Sequence, residues 1–183
     1  MRVLHIAPVH IVAQNHVLPL LPALRQLGIK TELLVIFGAH PPSPVVMAGM
    51  KRGGVPMYGL KLAHIDDLHH PTTPQTILKV TEFIQSRHAD IVHTHLAPDD
   101  FFGGFGARWG HIEHRVSTRY DADEDRSGDH WRSVAGLFAQ HIALSDDIAE
   151  KIRADGVTSD NIHVVTDAHG YLQVYRHILT GER

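Results

Sequence analysis

The chain has 183 residues, a formal net charge of -3 at pH 7, 17 histidines and no cysteine. That length is enough for one domain with its own core, and the lack of cysteine excludes disulfides and thiolate metal sites. Lysine and arginine are scattered, which argues against nucleic-acid binding, and no apolar run reaches the length of a membrane span. Because the first residues have a strand-like pattern rather than that of a signal peptide, we expect a cytoplasmic protein.

Strand-like and helix-like segments alternate along the chain. Runs of β-branched and apolar residues predict strands, and apolar residues three or four apart predict amphipathic helices. The predicted strands are 3–7, 31–37, 55–60, 89–95, 114–118, 140–144 and 161–165, and the helices that follow them in turn are 15–27, 45–51, 75–87, 101–109, 131–138, 146–154 and 171–179.

Four glycines separate these segments at regular places. Gly28, Gly54, Gly110 and Gly156 each follow a helical pattern and precede a strand, where a glycine can supply the left-handed residue that closes a helix. The regular alternation predicts an α/β fold, with a parallel sheet of about seven strands between two layers of helices. We find no internal repeat and no second domain boundary.

The stretch from Asp90 to Gly104 contains the strongest candidate site, because ligands of open parallel sheets bind beyond the carboxyl ends of the strands. His93 and His95 are two apart on a strand, so their side chains point to the same side. A metal site is one interpretation. We favour packing roles instead, because no third histidine or carboxylate completes a metal signature. Of Asp99 and Asp100, one is expected to cap the next helix, and the other could bind a sugar hydroxyl.

Two further segments have compositions that bear on ligand binding. The first loop, residues 8–14, has no glycine, so a nucleotide phosphate site there is not expected. The acidic run 121–125 could chelate a cation, but a solvated acidic loop is the more common meaning of such a run.

Taken together, these segments resemble the N-terminal domain of family 4 glycosyltransferases of the two-Rossmann-domain (GT-B) type. The resemblance covers about residues 1–165. It is carried, in the family's order, by MRVLHIAPVH, VLPLLPALRQLGIKTELLV, ADIVHTHLAPDDFFGGFGAR, HRVSTRYD, HIALSDDIAEKIRADGV and IHVV.

The resemblance implies a Rossmann-like acceptor domain and, in the complete enzyme, a second domain that holds a nucleotide-sugar donor. It implies a sugar or glycan-type acceptor. It implies neither a metal nor another cofactor. It assigns no catalytic residue. The positions expected to face the acceptor are His10, Ala13, His95, Asp99, Arg119 and Tyr120.

Three departures from the family pattern affect the expected function. Val12-Ala13 stands where the family usually has two glycines, and Tyr120 stands where a histidine is common. After the last strand, a linker at 166–170 leads to 171–183, which resembles the helix that returns from the family's second domain. We therefore expect one domain that is inactive alone, a minimised half-transferase. Two alternatives are an enzyme completed by a partner chain or a homodimer through its inter-domain face, and a non-catalytic scaffold.

Overall fold

The computed structural model describes residues 1–8, 17–62, 72–121 and 129–181. Within these residues seven strands form one sheet. They are β1 (Arg2–Pro8), β2 (Lys30–Phe37), β3 (Met57–Lys61), β4 (Ile91–Thr94), β5 (His114–Arg119), β6 (Gln140–Ala143) and β7 (Ile162–Val164).

Helices follow the strands, as the periodicities predict. The described α-helices are α1 (Val17–Gln26), α2 (Pro44–Arg52), α3 (Thr73–Arg87), α4 (Ala97–Trp109), α5 (Asp129–Ala135), α6 (Asp146–Ala154) and α7 (Ala168–Thr180). In the described residues, no helix combines the length and apolar character that a membrane crossing requires.

All neighbouring strands run parallel, in the order β3-β2-β1-β4-β5-β6-β7. The prediction of an α/β fold with a seven-stranded parallel sheet is confirmed. The strand order reverses between β1 and β4, which are hydrogen-bonded neighbours. In open α/β sheets this reversal opens a crevice at the carboxyl ends of the strands.

Apolar side chains cover both faces of the sheet. On one face, Val3 and Ala7 of β1 pack with residues of α1, α2 and α7. On the other, Leu4 and Ile6 of the same strand pack with residues of α3 and α4. Because side chains alternate along a strand, His5 points to the face covered by α1 and α7.

The glycine prediction is confirmed at three of its four positions. Gly28, Gly54 and Gly156 have φ of 86°, 68° and 97°, in the left-handed region that glycine enters without steric cost. At the end of α4 the prediction is wrong. Gly110 has φ of -75°, and His111, with φ of 60°, is the left-handed residue.

Two helices begin three or more residues earlier than predicted. α4 begins at Ala97 rather than Phe101, because proline is tolerated in a first turn, where its missing N–H is not needed. α7 begins at Ala168 rather than Tyr171, and the Asp167 side chain caps it by accepting from the Gly170 N–H at 2.8 Å.

Candidate functional site

Three histidines lie together beside the point where the strand order reverses. His5 of β1 is in register with His93 of β4, and His95 follows directly after β4, held by a hydrogen bond from its N–H to the Ile6 carbonyl at 3.0 Å. All three side chains are fully buried. The ring centroids of His93 and His95 are 4.3 Å apart, so the two rings are stacked.

The rings of His5 and His95 are joined edge to edge. Their centroids are 5.2 Å apart, their planes differ by 21°, and His5 Nδ1 is 2.9 Å from His95 Nε2. These values place both nitrogens close to the line between the centroids. One nitrogen therefore donates its proton straight towards the lone pair of the other.

A chain of hydroxyl groups continues from these histidines to β5 and α7. Tyr120 OH is 2.6 Å from His95 Nδ1, and the side chain of Tyr171 lies close to Tyr120. His93 Nδ1 is 2.6 Å from Tyr175 OH, and its Nε2 is 2.6 Å from Thr118 Oγ1.

Tyr171 lies beside both branches, close to Thr118 and Tyr120, with its ring centroid 5.7 Å from that of His93. The two branches together with Tyr171, called here the histidine–tyrosine network, are His5, His93, His95, Thr118, Tyr120, Tyr171 and Tyr175.

Burial keeps the network uncharged. It lowers the pKa of His95 from 6.5 to about 3. Burial lowers the pKa of His5 and of His93 well below 6.5, and neighbouring histidines lower both further. On the tyrosines burial acts in the opposite sense, raising the pKa of Tyr171 to about 12 and that of Tyr120 well above 10. The network therefore consists of neutral donors and acceptors at neutral pH.

The same three histidines are the only candidate metal cluster among the described residues, with one nitrogen of each within 4.8 Å of the others. A metal ion binds in the plane of an imidazole, at about 2.0–2.1 Å from the nitrogen. His5 Nδ1 and His95 Nε2 instead face each other, and both nitrogens of His93 face hydroxyl groups, whereas His5 Nε2 has no hydrogen-bond partner among the described residues. The rings would have to turn to meet one ion, so the arrangement suits hydrogen bonding, and the expected lack of a metal stays a prediction.

Asp99 and Asp100 do not cap the helix, so that prediction is wrong. Because α4 begins at Ala97, both lie inside its first turn, where carboxylates are stabilised by the helix dipole. Both are buried. Asp100 accepts hydrogen bonds from Thr94 and from Ser117 Oγ, the latter at 2.8 Å, and so ties α4 to β4 and β5.

Arg119 lies apart from the network. As β5 alternates, Thr118 points towards α7 and Arg119 towards the opposite face. Its guanidinium forms an ion pair with Asp155 at 2.8 Å and donates to the Asp121 carbonyl at 3.2 Å. The structure therefore brings His95 and Tyr120 together but places Arg119 elsewhere.

Several predicted features lie outside the described residues. They are His10 and Ala13 of the expected acceptor side, the Val12-Ala13 departure, the predicted start of the first helix at residue 15, and most of the acidic run 121–125.

Sequence reasoning missed His5, Tyr171 and Tyr175 as members of the site. Tyr171 and Tyr175 are four apart in the last helix, a spacing that by itself indicates only a shared packing face. His5 is 88 positions from His93, so no local spacing connects them. The available signal was the pairing of the first and fourth strands at the sheet's reversal point, which brings a histidine in each to the same face.

A family model described as the glycosyl transferase 4-like domain matches residues 13–167, which is most of the chain. The chain belongs to this family. The matched residues thus include every strand except β1, every described α-helix except α7, and all members of the network except His5, Tyr171 and Tyr175.

Solved structures share the fold of this glycosyl transferase 4-like domain. The lipopolysaccharide outer core galactosyltransferase WaaB, in its apo form, superposes with a TM-score of 0.68 at 12% identity, over 90% of this chain and 45% of that one. MnaA of S. aureus with UDP superposes with a TM-score of 0.67 at 18% identity, over 89% of this chain and 44% of that one. HepE of Anabaena with UDP and glucose superposes with a TM-score of 0.67 at 11% identity, over 91% of this chain and 44% of that one.

Identities this low establish the shared fold alone. The chain spans less than half the length of each of these three proteins. Comparison with curated protein sequences gives no match.

Proposed function

We propose that this domain is the acceptor-binding half of a nucleotide-sugar-dependent glycosyltransferase. The observation that carries the proposal is the family match over residues 13–167. The position of the histidine–tyrosine network supports it, because the network lies beside the reversal point, where α/β proteins bind their ligands. The same fold occurs in the galactosyltransferase WaaB and in HepE, whose structure holds UDP and glucose.

Transfer by residues 1–183 alone is not expected. Sugar transfer requires stabilisation of the charged nucleotide that leaves. The network is neutral, and Arg119 is engaged by Asp155 on the far face. We infer that a second Rossmann-like domain supplies the donor site.

The network is suited to binding an acceptor rather than to removing its proton. Both nitrogens of His95 are engaged, one by Tyr120 and one by His5. A phenol whose pKa is raised above 10 does not act as a base at neutral pH. Tyr120 can instead exchange hydrogen bonds with an acceptor hydroxyl.

A domain-exchange experiment tests the proposal. Residues 1–183 are joined to the donor half of WaaB in place of its own N-terminal half, and UDP release from UDP-sugars is measured with a panel of acceptor glycosides. We expect release that depends on both the acceptor and the fused donor half, and none from residues 1–183 alone. Sugar transfer by the unfused, monomeric chain at the rate of the fusion would contradict the proposed division of labour.

Two measurements test the alternatives. If the enzyme is completed by self-association, light scattering should show a dimer whose fraction rises with nucleotide-sugar. If the chain is a scaffold without ligands, no acceptor or nucleotide-sugar should raise its unfolding temperature.

A further inference from the structure

A groove opens where the network reaches the surface of the domain. It has a volume of about 310 Å³ and is lined by residues of α1, of the segments that follow β5, β6 and β7, and of the start of α7. The lining residues are Pro19, Leu20, Ala23, Tyr120, Leu144, Thr166, Asp167, Ala168 and Tyr171. This volume is at the lower end of the range for small-molecule sites, about 300–1,000 Å³.

The walls of the groove are mainly apolar. Pro19, Leu20 and Ala23 line it from α1, and Leu144 and Ala168 line it from the other elements. The only charged side chain among the described lining residues is Asp167, and its carboxylate is used to cap α7. Among the described lining residues, a phosphate or nucleotide would meet this carboxylate and no cation, so this part of the groove suits an uncharged occupant.

Four lining residues have polar side chains, namely Tyr120, Thr166, Asp167 and Tyr171. Tyr120 and Tyr171 bring hydroxyl groups of the network to the groove, and a phenol oxygen can donate one hydrogen bond and accept two. Because burial raises the pKa of both tyrosines, each presents a neutral hydroxyl.

We propose that the groove binds the apolar part of an uncharged acceptor, a hydrocarbon or aromatic group that carries a sugar, with one sugar hydroxyl bonded to the Tyr120–Tyr171 pair. This rests on the proposed function, and it narrows the acceptor to an amphipathic glycoside. Specificity then follows from the two parts of the ligand. The walls formed by α1 and Leu144 select its apolar group, and the phenols of Tyr120 and Tyr171 select a sugar hydroxyl.

Binding of octyl β-glucoside below its micelle concentration tests the proposal, measured by calorimetry and by amide chemical shifts of the full chain. We expect the largest shifts at the groove residues, and at least tenfold weaker binding of glucose and of octyl phosphate. Glucose that binds as well as octyl glucoside would overturn the role of the apolar walls, and octyl phosphate that binds as well would overturn the selection for an uncharged group.

Ala23→Trp fills the groove from α1 and should weaken octyl glucoside binding at least tenfold. Ala48→Trp is the matched control, because Ala48 lies on another groove, of about 520 Å³, beside α2. Tyr171→Phe keeps the ring and removes the hydroxyl, and should weaken binding a few-fold. Equal binding by the unmodified chain and a folded Ala23→Trp variant would overturn the proposal, as would shifts centred on Ala48.

The outcome is separable from that of the domain exchange. Octyl glucoside binding in this groove without any sugar transfer by the fusion would retain the groove and reject the transferase. Transfer by the fusion to acceptors that do not compete with octyl glucoside would retain the transferase and reject the groove.

Discussion

At the scale of single residues, the histidines at the centre of the sheet decide how the protein responds to acid. In the folded chain they are neutral because burial lowers their pKa. In the unfolded chain they titrate near the ordinary value of about 6.5. Below that pH the unfolded state binds more protons than the folded state, so acid stabilises the unfolded state.

We therefore expect these histidines to leave the free energy of unfolding unchanged above about pH 6.5, and to lower it as the pH falls below that value. Each histidine contributes a slope of up to about 1.4 kcal/mol per pH unit. For His95 the slope ends near pH 3, where the folded form also takes up a proton. Urea unfolding between pH 7.5 and pH 4.5 measures this.

His40→Gln is the control for the acid experiment. His40 is exposed, so its environment changes little on unfolding, and the variant should keep the slope. His5→Gln should reduce the slope by the contribution of one histidine, up to about 1.4 kcal/mol per pH unit. A free energy of unfolding that does not change with pH would show that the three buried histidines are not neutral in the folded state.

The same residues give a prediction about metal ions. Because His5 Nδ1 and His95 Nε2 face each other and both nitrogens of His93 face hydroxyl groups, Co²⁺ should produce no absorption band typical of tetrahedral nitrogen ligation, and Zn²⁺ should not raise the unfolding temperature. Surface histidines could bind either ion weakly, so His5→Gln serves as the reference. A Co²⁺ band that this substitution abolishes would contradict the hydrogen-bonding interpretation.

At the scale of secondary-structure elements, α4 lies unusually close to the sheet and to α3. A β-carbon placed on Gly103 would be 2.6 Å from Thr94 Cγ2 and 3.1 Å from Ile6 Cδ1. Thr94 cannot easily move, because its hydroxyl is bonded to Asp100. Glycine at this position therefore allows the close approach that brings Asp100 to β4 and β5.

Gly103→Ala should destabilise the protein by about 1–3 kcal/mol, the usual cost of overpacking a core, despite the higher helix propensity of alanine. Gly49→Ala in α2 is the matched control. Its added carbon would meet only the end of the flexible Leu18 side chain, at 3.3 Å, so the variant should be neutral or slightly more stable. Urea midpoints compare the two. Equal stability of both variants would show that α4 can shift at little cost.

The elements themselves were largely predictable, because their apolar periods and the glycines between them are local signals. The errors came where two local signals competed. Ala97-Pro98-Asp99-Asp100 has the composition of a turn, yet proline and acidic residues also suit the first turn of a helix. Gly110 was a natural helix end, but His111 takes the left-handed conformation instead.

The network could not be predicted in the same way, because its members come from β1, β4, β5 and α7. Which strands are neighbours is decided by the packing of the whole sheet. His93 and His95 were visible as a pair in the sequence, but His5 became their neighbour only through the pairing of β1 with β4.

At the scale of the whole molecule, the two larger apolar cores of the described residues share one sheet. β1 and β4 contribute alternate residues to both, since Val3 and Ile91 belong to one core and Leu4 and Val92 to the other. Neither core can be lost while the other keeps its full packing.

We therefore expect a single cooperative unfolding transition, as small domains usually show. Tryptophan fluorescence, which includes Trp109 at the end of α4, should give the same urea midpoint as the far-ultraviolet circular dichroism. Separate midpoints would show that the α7 side of the sheet opens independently of the α4 side.

The hydrogen bond between His93 and Tyr175 has a consequence for the order of folding. It joins residues 82 positions apart, and contacts between distant residues carry a large loop-closure cost, which favours their formation late. Tyr175→Phe leaves a buried nitrogen without its partner, which costs about 1–3 kcal/mol. We expect most of that loss to appear as faster unfolding, with the refolding rate nearly unchanged. Stopped-flow measurements of both rates would show whether α7 is the last element to dock.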